Sequence, residues 1–569
     1  MRCFICFPRR YSDSRQGTRT NINAMSGLNT GRIRMLLCGL STVCYCGSSN
    51  IALQEELFTR DQVRANDGSN GKPTWVSYKG SVYDVSKFKS IHPGGQFIER
   101  AAGGDLHEFW NVWRKHLRSK HVAEVMKTTR IGSLIDDESS SSGSDTSSSN
   151  PFENDPFRNR PVHRVHSEYP FSTETLPRPL IESHLTPADT LYVRNHAPVP
   201  TYSNTDDQVL HLTDPGDSQN GIFGCEQRIL MKDLLRNFPR VTITSVLQCA
   251  GNRTSEDIIA TGVHGNGLVG TPHQDIGSGM MGNARWGGIR LADLLEHYFP
   301  VQCRQQRQLG FCSQEQDQEL DRWHVHFLGA DEYESSTPLA HVLQTRSECI
   351  VATEMNDAPL SGDHGYPLRV ILPGLAGARS VKWVEEISLS RTPSAGPWNK
   401  YYYRKADGSS IQGLPLQSVI LSPCPGDTIK INPEPAASED GQLQLQQSAG
   451  WVDVKGVSYS GGSGRMIDNV EVSTDDGKTW QRSKIHTEDL LPDDSSAFYG
   501  WVRFSARVQV KIPTHEVKEG NTVDVSVWCR ATDSSGEMQP EVSLKQRGYL
   551  FNGWNKVGLK AALDCPPSV

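Results

Sequence analysis

Between Asp136 and Asn150 the chain reads DDESSSSGSDTSSSN, fifteen residues without one apolar side chain. Nothing in that tract offsets the entropy of ordering it, so it predicts a flexible linker. The chain therefore cannot condense around one core and must fold as separate bodies on either side. A length of 569 residues agrees, since single cores stop growing well below that size and about three or four domains of ordinary size are expected. The composition shifts place their limits at 1–50, 55–135, 136–168, 169–410 and 411–569.

The first 36 residues carry Arg2, Arg9, Arg10, Arg15, Arg19, Arg32 and Arg34 against one acid, Asp13. This basic, serine-bearing segment is similar to a mitochondrial presequence. Met35 to Ser49 follows as an uncharged stretch, shorter than the roughly 20 apolar residues a bilayer span needs. Together they resemble the two-part address of proteins of the intermembrane space, and 1–50 is set apart as a targeting and sorting segment. Of thirteen cysteines five precede residue 47, and the others are scattered without paired spacing or any C-x-x-C repeat, which reads as a thiol-bearing chain. A net charge of −7 gives no basic excess, so the totals lend no support to a nucleic-acid partner.

After Phe58, Thr59 and Gln62 have the spacing of a capping box opening a short helix. Trp75–Tyr78 and Ser81–Val85 flank Lys79-Gly80, as in a tight hairpin. The stretch that follows the serine tract, to Tyr169, is expected to run over the surface. From Pro170 to Ser410, β-like runs such as Val241–Leu247 mix with helix-like ones such as Leu291–Tyr298, which predicts an α+β domain. Beyond Pro415 only alternation remains, as at Val470 and Val472 before Asp475-Asp476-Gly477, and at Val523, Val525 and Val527. Period two with turn signals predicts an all-β, immunoglobulin-like sandwich.

His92-Pro93-Gly94-Gly95 is the first motif that carries chemistry. Proline biases His92 away from helical geometry, and the two glycines allow a close turn that projects an imidazole into a cleft. A loop histidine beside proline is ordinarily a solvated turn residue. Its context is not ordinary: the span Phe58–Leu134, with its helix, hairpin, Ala101-Ala102-Gly103-Gly104 turn and a second histidine after Phe109-Trp110, resembles cytochrome b5. That resemblance implies a small α+β domain in which His92 and His116 are axial ligands of haem b, with His121 the competitor for the second place. Two imidazoles saturate the iron, so such a haem relays single electrons.

Cys249 stands where the β run Ser245–Gln248 ends in a small-residue loop, Ala250-Gly251-Asn252-Arg253. Free cysteines are usually small buried hydrophobes. A strand end aims a side chain rigidly, however, and the nearby Arg253 favours the thiolate that ligates soft metals. The segment Leu247–Arg253 resembles the molybdenum-ligating segment of the sulfite oxidase family. Tyr192–His196, Glu354–Asn356, Asp363–Arg369 and Gly377–Trp383 follow the same family in the same order. The resemblance implies that Cys249 ligates molybdenum and that Tyr192, Val193, Arg194, Asn195, His196, Asp331, His364, Arg369, Ser380, Val381 and Lys382 contact molybdopterin. A pterin ending in phosphate suits such donors. It further implies that Arg194, Arg465 and Tyr403 serve the oxyanion substrate with Cys249, although Tyr401 and Tyr402 compete with Tyr403.

Two departures stand out. Thr254 follows Arg253 where the family has a second arginine, and Gly262–Gly282 offers no match to a pocket tryptophan. By the resemblance the chain is a homodimer that oxidises sulfite to sulfate, with electrons passing through haem to cytochrome c. An assimilatory nitrate reductase type is the rival enzyme, but there the haem follows the molybdenum domain and precedes a flavin module. A non-catalytic haem carrier is the rival of another class; Thr254 motivates it and Cys249 opposes it.

Overall fold

The computed structural model describes residues 56–564, apart from 90–91, 93–97, 100, 113–119, 136–151, 153–154, 157, 159–160, 203–207, 218–221, 262–274, 310–322, 345–347, 397, 438–442, 491, 494–496, 517–520 and 544–547. The targeting segment, the serine tract and His116 lie outside the described residues.

The first body is a four-stranded sheet of β1 (Leu57–Phe58), β2 (Trp75–Tyr78), β3 (Ser81–Asp84) and β4 (Arg130–Leu134), in the order β1-β4-β3-β2. The hairpin forms at Lys79-Gly80, where φ of 48° and 73° gives the left-handed pair that a tight antiparallel turn requires. The capping box is also present: Thr59 Oγ1 accepts from the Gln62 amide at 3.2 Å, and Gln62 Oε1 accepts from the Thr59 amide at 2.8 Å. Helix Arg60–Ala65 thereby gains partners for two amides its own turns cannot satisfy. Thr59→Ala should cost about 1 kcal/mol, read as faster amide hydrogen exchange in β2 and β3 of the full chain; unchanged exchange would contradict this. Val76, Tyr83, Ala101, Leu106 and Trp110 form the core of this module.

The central body opens on β5 (His163–Ser167) and β6 (Ser172–Thr175), an antiparallel pair. This corrects the expectation of a surface stretch: Phe152 is buried, and Arg158 is nearly so. Next in the chain are β7 (Val209–Asp217), β8 (Ile222–Leu230), β9 (Arg240–Gln248), β10 (Met281–Arg290), β11 (His324–Gly329), β12 (Glu334–Pro338), β13 (Ile350–Met355), β14 (Ala358–Pro359), β15 (Arg369–Ile371) and β16 (Val384–Ser390). They make two sheets, β14-β13-β10-β9 with β15 on β13, and β12-β11-β16-β7-β8. Helix Leu291–Tyr298 follows β10 directly and buries Leu291, Leu294 and Leu295, the i, i+3, i+4 face, in the core. Each such leucine contributes roughly 1.5–3 kcal/mol of burial.

The C-terminal body is all β: β17 (Gln417–Ser422), β18 (Thr428–Ala437), β19 (Leu443–Tyr459), β20 (Ile467–Ser473), β21 (Gln481–Arg482), β22 (Lys484–His486), β23 (Val502–Pro513), β24 (Thr522–Asp533) and β25 (Asn555–Leu563). β18 pairs with β19 on one side and β25 on the other, so the two faces of the sandwich join into one strongly curled sheet. Val452, Val454, Val508 and Val510 of one face meet Val470, Val472, Val527 and Val557 of the other in a shared core. Cys249, Cys303, Cys349, Cys424 and Cys529 are free thiols.

Candidate active site

β9 delivers Cys249 to the wall of a partly open cavity. The loop after the strand is clamped at every step. The Cys249 amide donates to Met280 O at 2.9 Å, Asn252 Oδ1 accepts from the Met280 amide at 3.0 Å, and the Arg253 amide donates to Gly277 O at 2.7 Å. Arg253 holds φ at 65°, which turns the loop back into helix Thr254–Thr261. The thiol cannot drift, because the peptide on each side of it is fixed.

Arg253 does not serve the thiol as expected. Its guanidinium is fully buried and forks onto Glu256 at 2.8 and 2.6 Å, with Gln417 Oε1 at 2.9 Å. The pair neutralises itself and anchors the loop to the C-terminal body. Burial pushes the Cys249 thiol up, while the Gly251 amide and the Arg194 charge draw it down, so Arg194 is the cation that faces it. Thr254 is buried and its hydroxyl donates to Gly251 O at 2.6 Å and Gly548 O at 3.1 Å. At this position a neutral loop staple therefore stands in place of a pocket cation.

Tyr192, Arg194, His196, Cys249, Asp331, His364, Arg369, Ser380, Val381, Lys382 and Tyr403 line one cavity. Val193 and Asn195, also expected there, are buried beside it. The Val193 amide pairs with Thr173 Oγ1 at 3.0 Å, and Asn195 works from behind, through Asp363 and Lys382. Arg465 is not among the lining residues; it is half-exposed, donates to Ser535 Oγ at 2.6 Å and lies 3.7 Å from Asp533. Of the three consecutive tyrosines Tyr403 reaches the cavity, whereas Tyr402 stacks on Trp398 at 4.9 Å.

Tyr403 and His196 meet at 3.2 Å between Tyr403 Oη and His196 Nε2. Burial pushes the phenol up to about 12 and the imidazole well below its usual range, so both are neutral near pH 7. Tyr333 and Trp398 pack on the His196 ring at 4.7 and 4.3 Å. Sequence reasoning missed Tyr333, which belongs to no periodic run or motif, and used Trp398 only as the landmark five residues before Tyr403. It also missed the role of Arg379, whose fully buried guanidinium donates to Ile411 O at 2.7 Å, Ser335 Oγ at 3.0 Å and Tyr403 O at 3.4 Å, tying down the turn that carries Tyr403. At Gly377 a Cβ would stand 3.0 Å from both Tyr192 Oη and Gln248 O. A side chain there would press on both, so glycine lets the turn close without displacing them.

At the other end, the Arg369 Nη1 donates to His364 O at 3.1 Å, while its buried Nε has no hydrogen-bond partner among the described residues. Burial lowers the Arg369 pKa to about 10 and lowers that of Lys382 as well, each being a cation that an anion would stabilise. His92 is half-buried, with its ring 5.6 Å from Phe88. His116, and the side chain of His121, lie outside the described residues.

Three family descriptions match along the chain: Cytochrome b5-like Heme/Steroid binding domain at 59–135, Oxidoreductase molybdopterin binding domain at 219–398, and Mo-co oxidoreductase dimerisation domain at 408–562. The chain is 32% identical to "Sulfite oxidase, mitochondrial" of Homo sapiens over 96% of its own length and 93% of the relative's. It belongs to the sulfite oxidase family. A second relative of that name, from Rattus norvegicus, is 33% identical over 88% of this chain and 84% of its own length. "Nitrate reductase [NADH]" of Lotus japonicus is 28% identical over 70% of this chain, but only 42% of that enzyme is covered.

Sulfite oxidases of this domain makeup carry molybdenum–molybdopterin and haem b, and the cavity fits the first of these. Its cations Arg369 and Lys382, with an Arg369 Nε that has no partner among the described residues, call for an anionic, acceptor-rich group, and the Cys249 thiol on the same lining is a donor of the soft kind that would suit molybdenum.

Proposed function

We propose that the protein oxidises sulfite to sulfate at a molybdenum–pterin centre held by Cys249, and passes the electrons one at a time through haem b to cytochrome c. The observation that supports this reading is the lining of one cavity by the clamped Cys249 together with Arg194, Arg369 and Lys382. When bound, the molybdenum centre supplies oxygen-atom transfer and holds the two electrons released as sulfite and water become sulfate and two protons.

The chain's own residues do the rest. Arg194, whose Nη1 is fixed on Asn195 O at 2.9 Å, presents its remaining donors to the sulfite oxygens next to Cys249. Tyr403 keeps its proton and offers a neutral hydroxyl to the same anion, oriented by His196. Arg369, His364 and Lys382 would hold the pterin, and Cys249 would ligate its molybdenum. Arg465 is bound to Ser535 and Asp533 in this structure, so the anion clamp described rests on Arg194.

His92 and His116 hold the haem iron. The match at 408–562 supports a homodimer formed through the C-terminal body. Relatives named mitochondrial, together with the arginine-rich leader, support the intermembrane space, where cytochrome c is reached. No helix among the described residues is long and apolar enough to cross a membrane.

The purified protein is expected to reduce cytochrome c when given sulfite and to leave nitrate unchanged when given a reduced donor. Nitrate turnover without sulfite turnover would overturn the proposal.

A further inference from the structure

Arg158 lies between the serine tract and β5, in the stretch that the sequence reading left on the surface. Its side chain is 9% exposed and forks onto Asp363, itself 1% exposed, with Nη2 to Oδ1 at 2.8 Å and Nε to Oδ2 at 3.2 Å. Nη1 reaches Asp155 Oδ2 at 2.9 Å, and the guanidinium lies 4.2 Å over the ring of Phe171. Burial works against the Arg158 charge, yet the two carboxylates hold it above the ordinary guanidinium range.

Asp363 lines the cavity, and its carboxylate orients what lies beside it. Asn195 Nδ2 donates to Asp363 Oδ1 at 3.1 Å, which fixes the amide so that Asn195 Oδ1 faces the Lys382 ammonium. Lys382 Nζ also donates to Asp363 O at 3.0 Å. An ammonium has three donors, so one remains for the cavity.

We propose that Arg158 is a positioning residue for the pterin pocket: by neutralising Asp363 it keeps the Lys382 ammonium turned toward the cofactor's anionic group. In its absence a dry carboxylate would lose its forked partner, and the Lys382 ammonium, already bonded to the backbone oxygen of the same residue, is a cation at hand to replace it. The ammonium would then be spent on Asp363, and Asn195 would lose the carboxylate that sets its amide. The inference rests on the reading of this cavity as the pterin site.

The test uses the full-length protein, expressed with its cofactors, and reads molybdenum and pterin content per haem. Arg158→Met should lower both about tenfold, the scale on which loss of a partner that orients a ligand acts. Asp363→Asn in the same chain should restore most of the loading, because the neutral amide no longer competes for Lys382 while its oxygen still accepts from Asn195. Normal loading in Arg158→Met overturns the inference. So does an empty but folded double variant, since Arg158 would then act through its packing on Phe171. Should Arg158→Met not accumulate, the double variant alone decides, loaded in support and empty against. Lys382→Met is the control on the underlying reading: full loading there removes the pterin assignment itself, whereas loss there with normal loading in Arg158→Met removes only the role of Arg158.

Discussion

Cys249→Ser is expected to give a folded, haem-containing protein that no longer oxidises sulfite, whether cytochrome c or a small artificial acceptor takes the electrons. Serine fills the same space at the end of β9, and the loop is held by backbone bonds to Met280 and Gly277 that the change does not touch. The cost to the fold is therefore about 1 kcal/mol or less. The cost to activity is far larger, because a hard, protonated hydroxyl replaces the one soft ligand the chain offers at that wall of the cavity. A fall of at least about 10³-fold, roughly 4 kcal/mol in the barrier, is expected. Near-normal turnover in the variant would show that the metal is held elsewhere.

His92→Ala separates the two halves of the enzyme. Removing an axial imidazole strips haem b of its ligand field and its place in the first module, so sulfite-dependent reduction of cytochrome c should fall to background. The molybdenum domain keeps Cys249, Arg194 and Tyr403, so a small acceptor that takes electrons directly should still be reduced at close to the normal rate. The measurement is the ratio of the two activities on one preparation. A parallel fall in both, with molybdenum content unchanged, would contradict the relay.

What was legible in the chain beforehand follows from distance along it. The Thr59–Gln62 box, the Lys79-Gly80 turn, the helix at Leu291 and the strand ending at Cys249 each depend on residues within about ten positions of each other, where spacing and backbone preference act directly. Motif order brought Tyr192, His364, Arg369 and Lys382 to one cavity without any knowledge of its shape. Partners far apart in sequence were not legible. Nothing near Arg158 announces Asp363, and Arg253 reads as a cation for Cys249 until Glu256 and Gln417 are seen to consume it.

Arg465 marks the same limit from the other side. Its resemblance to a pocket arginine concerns position in the chain, while the direction of a long side chain is settled by whichever carboxylate stands near, here Asp533. Tyr333, and the packing of Trp398 on His196, escaped notice because an aromatic wall around one imidazole has no sequence period. The shared strand β18 escaped notice as well, since alternation tells which residues face inward but not which neighbours a strand takes.

X-ray absorption at the molybdenum edge examines the proposed bond from the Cys249 sulfur to the metal without recourse to turnover. Spectra of the loaded protein and of whatever loaded fraction of Cys249→Ser can be isolated should differ by one sulfur in the shell around the metal, replaced by a lighter neighbour. Identical sulfur shells in the two would contradict the assignment of Cys249.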